Sequence, residues 1–315
     1  MDTKIVSTPT LVEDFFNTTK EKHENPEKHR GFTTGIPEIE QLLGGFQLGW
    51  YIIVGGAEKS GKTALMLSIL LQFAMAGKNF MWVSREMSLD GMAGRTYANM
   101  AKPDTGVDLN KLRDLKLEGD DWKEMERIKD LMMSYKGWWT TGSPYVEEVL
   151  MDADKKDIDI LVVDYIQLLQ AKKMRDNSNF SSEIRHISKL FNDWVLAKES
   201  EGRPRMLITG SQLNREATKA GTFDSANYFF GTSSIEQDAD VAFVIGPVTD
   251  PAGEEDPTKR KIYVSASRWS EQKVSFTVSF DGAHSRFAGA EQPVKLRDIA
   301  DECLNKPAEN MEMPW

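Results

Sequence analysis

Gly56 to Thr63 reads GAEKSGKT, directly after the apolar run Tyr51 to Val54 and directly before the apolar stretch TALMLSILLQFAMAG. The spacing GxxxxGK[ST] lines up successive backbone N–H groups toward phosphate oxygens. Glycines give the backbone room, a lysine reaches the β and γ oxygens, and a hydroxyl meets a magnesium ion. Gly56, Gly61, Lys62 and Thr63 fill those positions, with Ala57, Glu58, Lys59 and Ser60 forming the span between the glycines. A strand before the loop and a helix after it is the context that separates such a site from a chance match, because the helix N-terminus favours an anion. The chain is therefore expected to fold as an α/β domain that binds ATP with Mg²⁺.

The texture of the rest agrees with that class. Short apolar runs at Tyr51 to Val54, Phe80 to Val83, Ile160 to Val163 and Met206 to Thr209 alternate with helical stretches. This βαβ rhythm predicts a mostly parallel central sheet flanked by helices. Val241 to Ile245 and Lys261 to Ser265 follow with little helix between them, and VSFTVSFD alternates at period two, which predicts antiparallel strands toward the C-terminus. Ahead of this body, Pro9 to Lys22 carries Leu11, Phe15 and Phe16 among polar residues, with Thr10 as the candidate N-cap. A polar stretch containing Pro26 then reads as a linker, and the short helix is expected to dock on another subunit or on its own core. The organisation is thus a docking helix and linker over 1–30, a motor domain over 31–290, and a C-terminal helix with a polar tail over 291–315. That tail, ending ENMEMPW, is a candidate peptide for a partner's pocket.

A net charge of -10 argues against a surface that coats nucleic acid throughout, while leaving room for local basic loops. Cys303 is the single cysteine, which excludes an intrachain disulfide and a thiolate cluster and suits a reducing cytoplasm. No apolar run reaches the length of a membrane span.

Three further strand ends carry chemistry. ILVVD delivers Asp164, a carboxylate able to hold magnesium beside Thr63. FMWVS ends at Arg85-Glu86-Met87, and Glu86 is the candidate general base, brought to the same crevice because ligands of open parallel sheets sit beyond the strands' C-terminal ends. RMLITGS leads to Gln212, whose amide can both donate and accept and so suits a sensor of nucleotide state. Two polar, locally basic stretches follow these ends. AKKMRDNSNFSSE offers Lys172, Lys173 and Arg175, and the stretch after Gln212 offers Arg215 and Lys219, as cations able to track a phosphate backbone.

In chain order these segments are GxxxxGKT, an E-M-S turn, D-Y-x-Q-L and S-Q-L-x-R, joined by FTTGIPEIEQLLGGFQLGWYIIV, GTSSIEQDADVAFVI and VSFTVSFDGAHSRF. The set resembles the C-terminal RecA-like motor domain of the DnaB-type hexameric replicative helicases, over about Gly31 to Gly289, in a phage-like form without the N-terminal helical domain. The resemblance implies ring hexamers with ATP between subunits. It assigns Lys62 and Thr63 to phosphate and magnesium, Glu86 to catalysis, Asp164 to the metal site, and Gln212 to coupling nucleotide with DNA. It also implies that Arg268, in SASRWSEQ, enters the neighbouring subunit's site in trans. Family members usually carry a lysine two residues before that arginine, where this chain has Ala266, so Arg268 acts alone or with Lys259, Arg260 or Lys273. Implied partners are single-stranded DNA, five further copies of the chain, and a primase, DNA polymerase or helicase loader. A recombinase or strand-annealing ATPase, and a nucleotide-switched scaffold or loader, stay open as alternatives within the same fold.

Overall fold

The computed structural model of the protein describes residues 6–25, 31–103, 105–172, 179–214, 235–250, 252–270 and 274–290. The first helix, α1 (Thr8–Glu24), begins earlier than the apolar pattern suggests. Ser7, not Thr10, is its N-cap, in extended conformation, with its Oγ accepting from the Thr10 N–H at 3.4 Å. Pro9 explains the shift: a residue without an N–H is best placed in the first turn, which puts the cap ahead of it. No residue of α1 is buried, and Leu11, Val12, Phe15 and Phe16 form an exposed apolar stripe.

Among the described residues nine strands form one sheet: β1 (Tyr51–Gly56), β2 (Phe80–Ser84), β3 (Gly137–Thr140), β4 (Ile160–Asp164), β5 (Met206–Gln212), β6 (Val241–Thr249), β7 (Glu255–Ser267), β8 (Ser275–Asp281) and β9 (Arg286–Gly289). Their order is β3-β2-β4-β5-β1-β6-β7-β8-β9. The pairs from β3 to β6 are parallel, and those from β6 to β9 are antiparallel. The expected strands are all present, and all but β8, which starts at Ser275, run longer than the apolar runs alone imply. β3 is an additional edge strand, with Gly137 in a position where a Cβ would lie 2.2 Å from the Phe80 ring. The segment that would follow residue 290 as a helix lies outside the described residues.

Alternate residues of the buried strands feed two cores, as the two-residue period demands. Ile52 and Val54 pack with Leu65, Ile69 and Phe73 of α3 (Lys62–Met75), to which α2 (Pro37–Leu43) adds Ile39. Tyr51 and Ile53 face the other layer, where Ile187, Phe191 and Val195 of α8 (Phe180–Ser200) and Val146 and Val149 of α7 (Val146–Lys156) lie. Three helices fill the connection from β2 to β3: α4 (Leu89–Met100), α5 (Leu109–Asp114) and α6 (Asp120–Met133). A short α9 (Ile235–Asp238) precedes β6.

Helix α3 is apolar on all sides because it is covered on all sides. The antiparallel end of the sheet bends over it, so that Val278, Phe287 and Phe280 share its core and the Phe287 N–H donates to Ser68 Oγ at 3.1 Å. That curl brings β8 and β9 back to the start of α3, beside the loop 56–63. Among the described residues no helix is long and apolar enough to cross a membrane.

Candidate nucleotide site

The loop 56–63 joins the buried end of β1 to the N-terminus of α3, and its glycines are required by its shape. A Cβ on Gly56 would lie 2.2 Å from Ser60 Oγ, and Gly61, the N-cap of α3, has φ of +107°. Lys62 is 7% exposed, and its Nζ donates to Gly56 O at 2.9 Å and Ala57 O at 2.8 Å. Burial lowers its pKa, against the opposing pull of Asp164, Glu86 and Glu58. The ammonium is thus folded back on the loop's own carbonyls, within the field of three carboxylates.

Thr63 Oγ1 donates to Asp164 Oδ2 at 2.7 Å. Asp164 has no exposed surface, and burial pushes its pKa up to about 6, with Glu86 adding to the rise and Thr63, Lys62 and Arg95 opposing it. Its second oxygen, Oδ1, is buried with no hydrogen-bond partner. A hydroxyl beside a carboxylate oxygen left over after protein bonding is a hard-oxygen donor set of the kind Mg²⁺ takes, so the residues present fit that ion.

β2 and β4 are in register at Ser84 and Asp164, which carries Glu86 to the same sheet edge. The turn that presents it is closed by Ser84 Oγ, which donates to Met87 O at 2.8 Å and accepts from Met87 N at 3.2 Å. Arg85 is held away from the site by its bonds to Thr141 O and Gly142 O, leaving Glu86 exposed over the crevice. Gln212 lies opposite Gly56 in the β1–β5 register, and its Nε2 donates to the Tyr165 hydroxyl at 3.0 Å. Lys62, Thr63, Glu86, Asp164 and Gln212, read from separate segments of the sequence, therefore converge on one edge.

Arg268 lies at the other edge. Its N–H donates to Asp240 O, and its guanidinium donates to Asp240 Oδ1 at 3.3 Å, Gln237 O at 3.1 Å and Asp238 O at 3.4 Å. Asp240 Oδ2 in turn accepts from the N–H of Tyr51, the first residue of β1, whereas the loop 56–63 begins at the last. The length of β1 from Tyr51 to Gly56, about 17 Å of strand, separates Arg268 from its own chain's loop.

Arg260, grouped with Arg268 on sequence, sits instead on its own loop. Its Nε donates to Ser60 O at 3.3 Å, and its guanidinium lies 4.4 Å from the Phe280 ring centroid. Phe280 and Phe287 form a tilted pair at 4.8 Å that abuts Gly61. Arg260 thus braces its own chain's loop and does not lie beside Arg268. Lys259 is paired with Asp256 at 3.2 Å, and Lys273 lies outside the described residues.

Of the candidate DNA contacts, Lys172 is engaged within the chain, pairing with Glu148 and lying 5.4 Å from the Tyr145 ring centroid. Lys173, Arg175, Arg215 and Lys219 lie outside the described residues. Sequence reasoning did not single out Tyr165, Gln167 or Arg95 beside the site. The D-Y-x-Q-L segment held a signal for the first two, and Arg95 reaches the site from α4, donating to Met87 Sδ and Ser285 Oγ at 3.2 Å each.

A glycine-bounded phosphate-type loop at the C-terminal edge of a parallel sheet, extended by antiparallel strands that fold back on the following helix, defines a RecA-like α/β domain. The family model described as the DnaB-like helicase C terminal domain matches residues 31–289, and the chain belongs to that family. The replicative DNA helicase DnaB of Haemophilus influenzae is 26% identical over 288 residues, covering 88% of this chain and 59% of that protein. The Helicobacter pylori (strain ATCC 700392 / 26695) DnaB is 26% identical over 223 residues, 68% of this chain and 43% of that protein. The chain thus spans about half the length of the curated relatives it matches. Among solved structures, an isolated ATPase domain superposes with a TM-score of 0.75 at 16% identity, covering 90% of this chain and 100% of that one. A DnaB-like replicative helicase, described with its interactions with primase, superposes at 0.72 and 16% identity, over 88% of this chain and 68% of that one.

Proposed function

We propose that the protein is an ATP-driven DNA helicase that moves on single-stranded DNA as a ring of six copies and separates the duplex ahead of it. The observation that carries the proposal is the convergence of Lys62, Thr63, Glu86, Asp164 and Gln212 on one sheet edge, in a chain of the DnaB-like family, with Arg268 on the opposite edge. A site with every group but its trans cation is half a site, and a ring of like subunits completes it.

The roles follow from the contacts. Lys62, held by loop carbonyls, can exchange these neutral acceptors for charged phosphate oxygens, a stronger pairing for a buried ammonium. Thr63 and Asp164 would hold magnesium, which supplies charge neutralisation for the transferring phosphoryl group. Glu86, exposed over the crevice, accepts the proton of the attacking water. Gln212 contacts Tyr165 beside Asp164 and so lies between the nucleotide edge and the segment leading to residues 172–175. Arg268 of the partner subunit stabilises charge that develops in the transition state. The apolar stripe of α1 supports docking on an adjacent copy, since none of it is buried within its own chain.

The test is unwinding of a forked DNA duplex with ATP, alongside Glu86→Gln. The wild type is expected to separate the strands, and the variant to keep nucleotide affinity while losing on the order of 10² to 10⁴ in turnover. Strand exchange without unwinding would assign the chain to the recombinases, and sustained turnover by Glu86→Gln would remove the assigned base.

A further inference from the structure

The parallel ladder between β4 and β5 stops at Val163 and Thr209, although β5 runs on beside β1 as far as Gln212. Beyond that point the backbone of Gln212 has lost its strand neighbour on the β4 side. A single side chain takes the vacated place. The Gln167 amide accepts from the Gln212 N–H at 3.1 Å, and its Nε2 donates to Ser211 Oγ at 2.8 Å and to Gln212 O at 3.4 Å. One carboxamide thus meets the N–H and C=O of the same residue, as a strand would, at a point where Ser211 has no exposed surface. The side chain of Gln212 points to the same segment and donates to the Tyr165 hydroxyl at 3.0 Å. Gln212 is therefore gripped twice, by backbone and by side chain, from two residues of one short turn, Ile166–Leu168 and the tyrosine before it.

That turn leads straight to the candidate DNA segment. Past it, the Gln170 N–H donates to Pro144 O at 2.7 Å, the Ala171 N–H to Glu183 Oε1 of α8 at 3.1 Å, and the Lys172 N–H to Glu147 Oε1 of α7 at 3.0 Å. Residues 165–172 thus form a fastened strip with Asp164 and Gln212 at one end and the basic segment at the other. A displacement of Gln212 moves this strip through Gln167 and Tyr165, since the strand ladder no longer joins β4 to β5 at that level.

We propose that Gln167 is a positioning residue that couples the nucleotide edge, through Gln212, to the DNA-contacting segment starting at Lys172. The inference rests on the helicase reading above. It makes the carboxamide of Gln167 necessary for DNA to stimulate hydrolysis and for nucleotide to alter DNA affinity, while leaving the hydrolytic groups untouched.

The experiment compares the full-length wild type with Gln167→Met, which keeps the length of the side chain, and Gln167→Glu, which keeps acceptance from the Gln212 N–H and loses donation. ATP turnover is measured with and without oligothymidylate, and oligothymidylate affinity with and without a slowly hydrolysed ATP analogue. Both variants are expected to keep basal turnover and melting temperature near the wild type. Gln167→Met is expected to lose about tenfold of the DNA stimulation and Gln167→Glu part of it. Adding Gln212→Ala to Gln167→Met should then lower the stimulation ratio no further, as groups in one chain of contacts are non-additive. An unchanged stimulation ratio in Gln167→Met, a loss in proportion to basal turnover or melting temperature, or full additivity with Gln212→Ala would each overturn the coupling role. A wild type whose turnover ignores single-stranded DNA would instead overturn the helicase reading itself.

Discussion

A carboxyl group with no exposed surface folds more readily protonated than ionised, and Asp164 is such a group, with one oxygen bonded to Thr63 and the other unpartnered. Its pKa, pushed up to about 6 by burial, lies above the value of about 3.9 expected in an unfolded chain. The folded state therefore binds the proton more tightly than the unfolded one between those values. In metal-free and nucleotide-free protein this contribution to stability is greatest below about pH 4 and falls as pH rises through about 6. The full difference is on the order of 3 kcal/mol. Urea unfolding in a chelator at several pH values, compared with Asp164→Asn, isolates it, because the amide still accepts from Thr63 and does not titrate. The stability of wild type minus that of the variant is expected to decline between about pH 4 and 7, and a flat difference would refute the burial argument. The site thus holds instability in the empty state that a bound cation would offset.

At the scale of the element, β7 matters most, because its middle and its C-terminal end meet different sites. Arg260 rests on Phe280 and on the Ser60 carbonyl of its own loop, and Arg268 emerges beside Asp240 at the far edge of the sheet. Removing the Arg260 guanidinium takes away a cation–π contact and a brace on the loop together. Arg260→Ala is expected to weaken binding of a fluorescent ATP analogue by about five- to tenfold, roughly 1 kcal/mol, with Arg260→Lys intermediate. Equal affinities for all three proteins would show that the loop holds its shape without the brace. β7 also marks how far the fold was legible in the sequence. The buried strands β1, β2, β4 and β5 announce themselves as unbroken apolar runs, and the loop 56–63, Glu86, Asp164 and Gln212 follow from their ends. Only Lys261 to Ser265 of β7 reads as a strand, because its first half is largely exposed and polar, as an antiparallel strand beyond the core allows. A short strand leaves Arg260 a possible companion of Arg268, whereas the 13-residue strand Glu255–Ser267 brings the two to opposite edges. β3 escaped for a related reason: its residues are only half-buried at the edge of the sheet, so the pair Trp138 and Trp139 lacks an apolar run around it.

For the molecule as a whole, the sheet works as a plate with unlike edges. One edge gathers Lys62, Thr63, Glu86, Asp164 and Gln212, and the other presents Arg268, 46% exposed, next to Trp269, which stacks on Trp50 at 5.8 Å. In the proposed ring, copies related by rotation would place the second edge of one against the first edge of the next, a head-to-tail interface that closes when the rotation divides a full turn. The arrangement makes a quantitative prediction that a self-contained site would not. Lys62→Ala and Arg268→Ala are each expected to lose at least about a hundredfold in turnover, as removal of a phosphate lysine or a trans arginine does. In an equal mixture of the two, assembled at random, a site is whole where an Arg268→Ala copy supplies the loop and a Lys62→Ala copy supplies the arginine. That combination makes up about a quarter of all interfaces, so basal turnover should recover toward about a quarter of the wild-type value when the rings are allowed to exchange subunits. Mixing preformed rings without exchange should recover nothing. If the exchanged mixture stays as inactive as its components, Arg268 serves its own chain or none, and the salt bridge to Asp240 is the whole of its role.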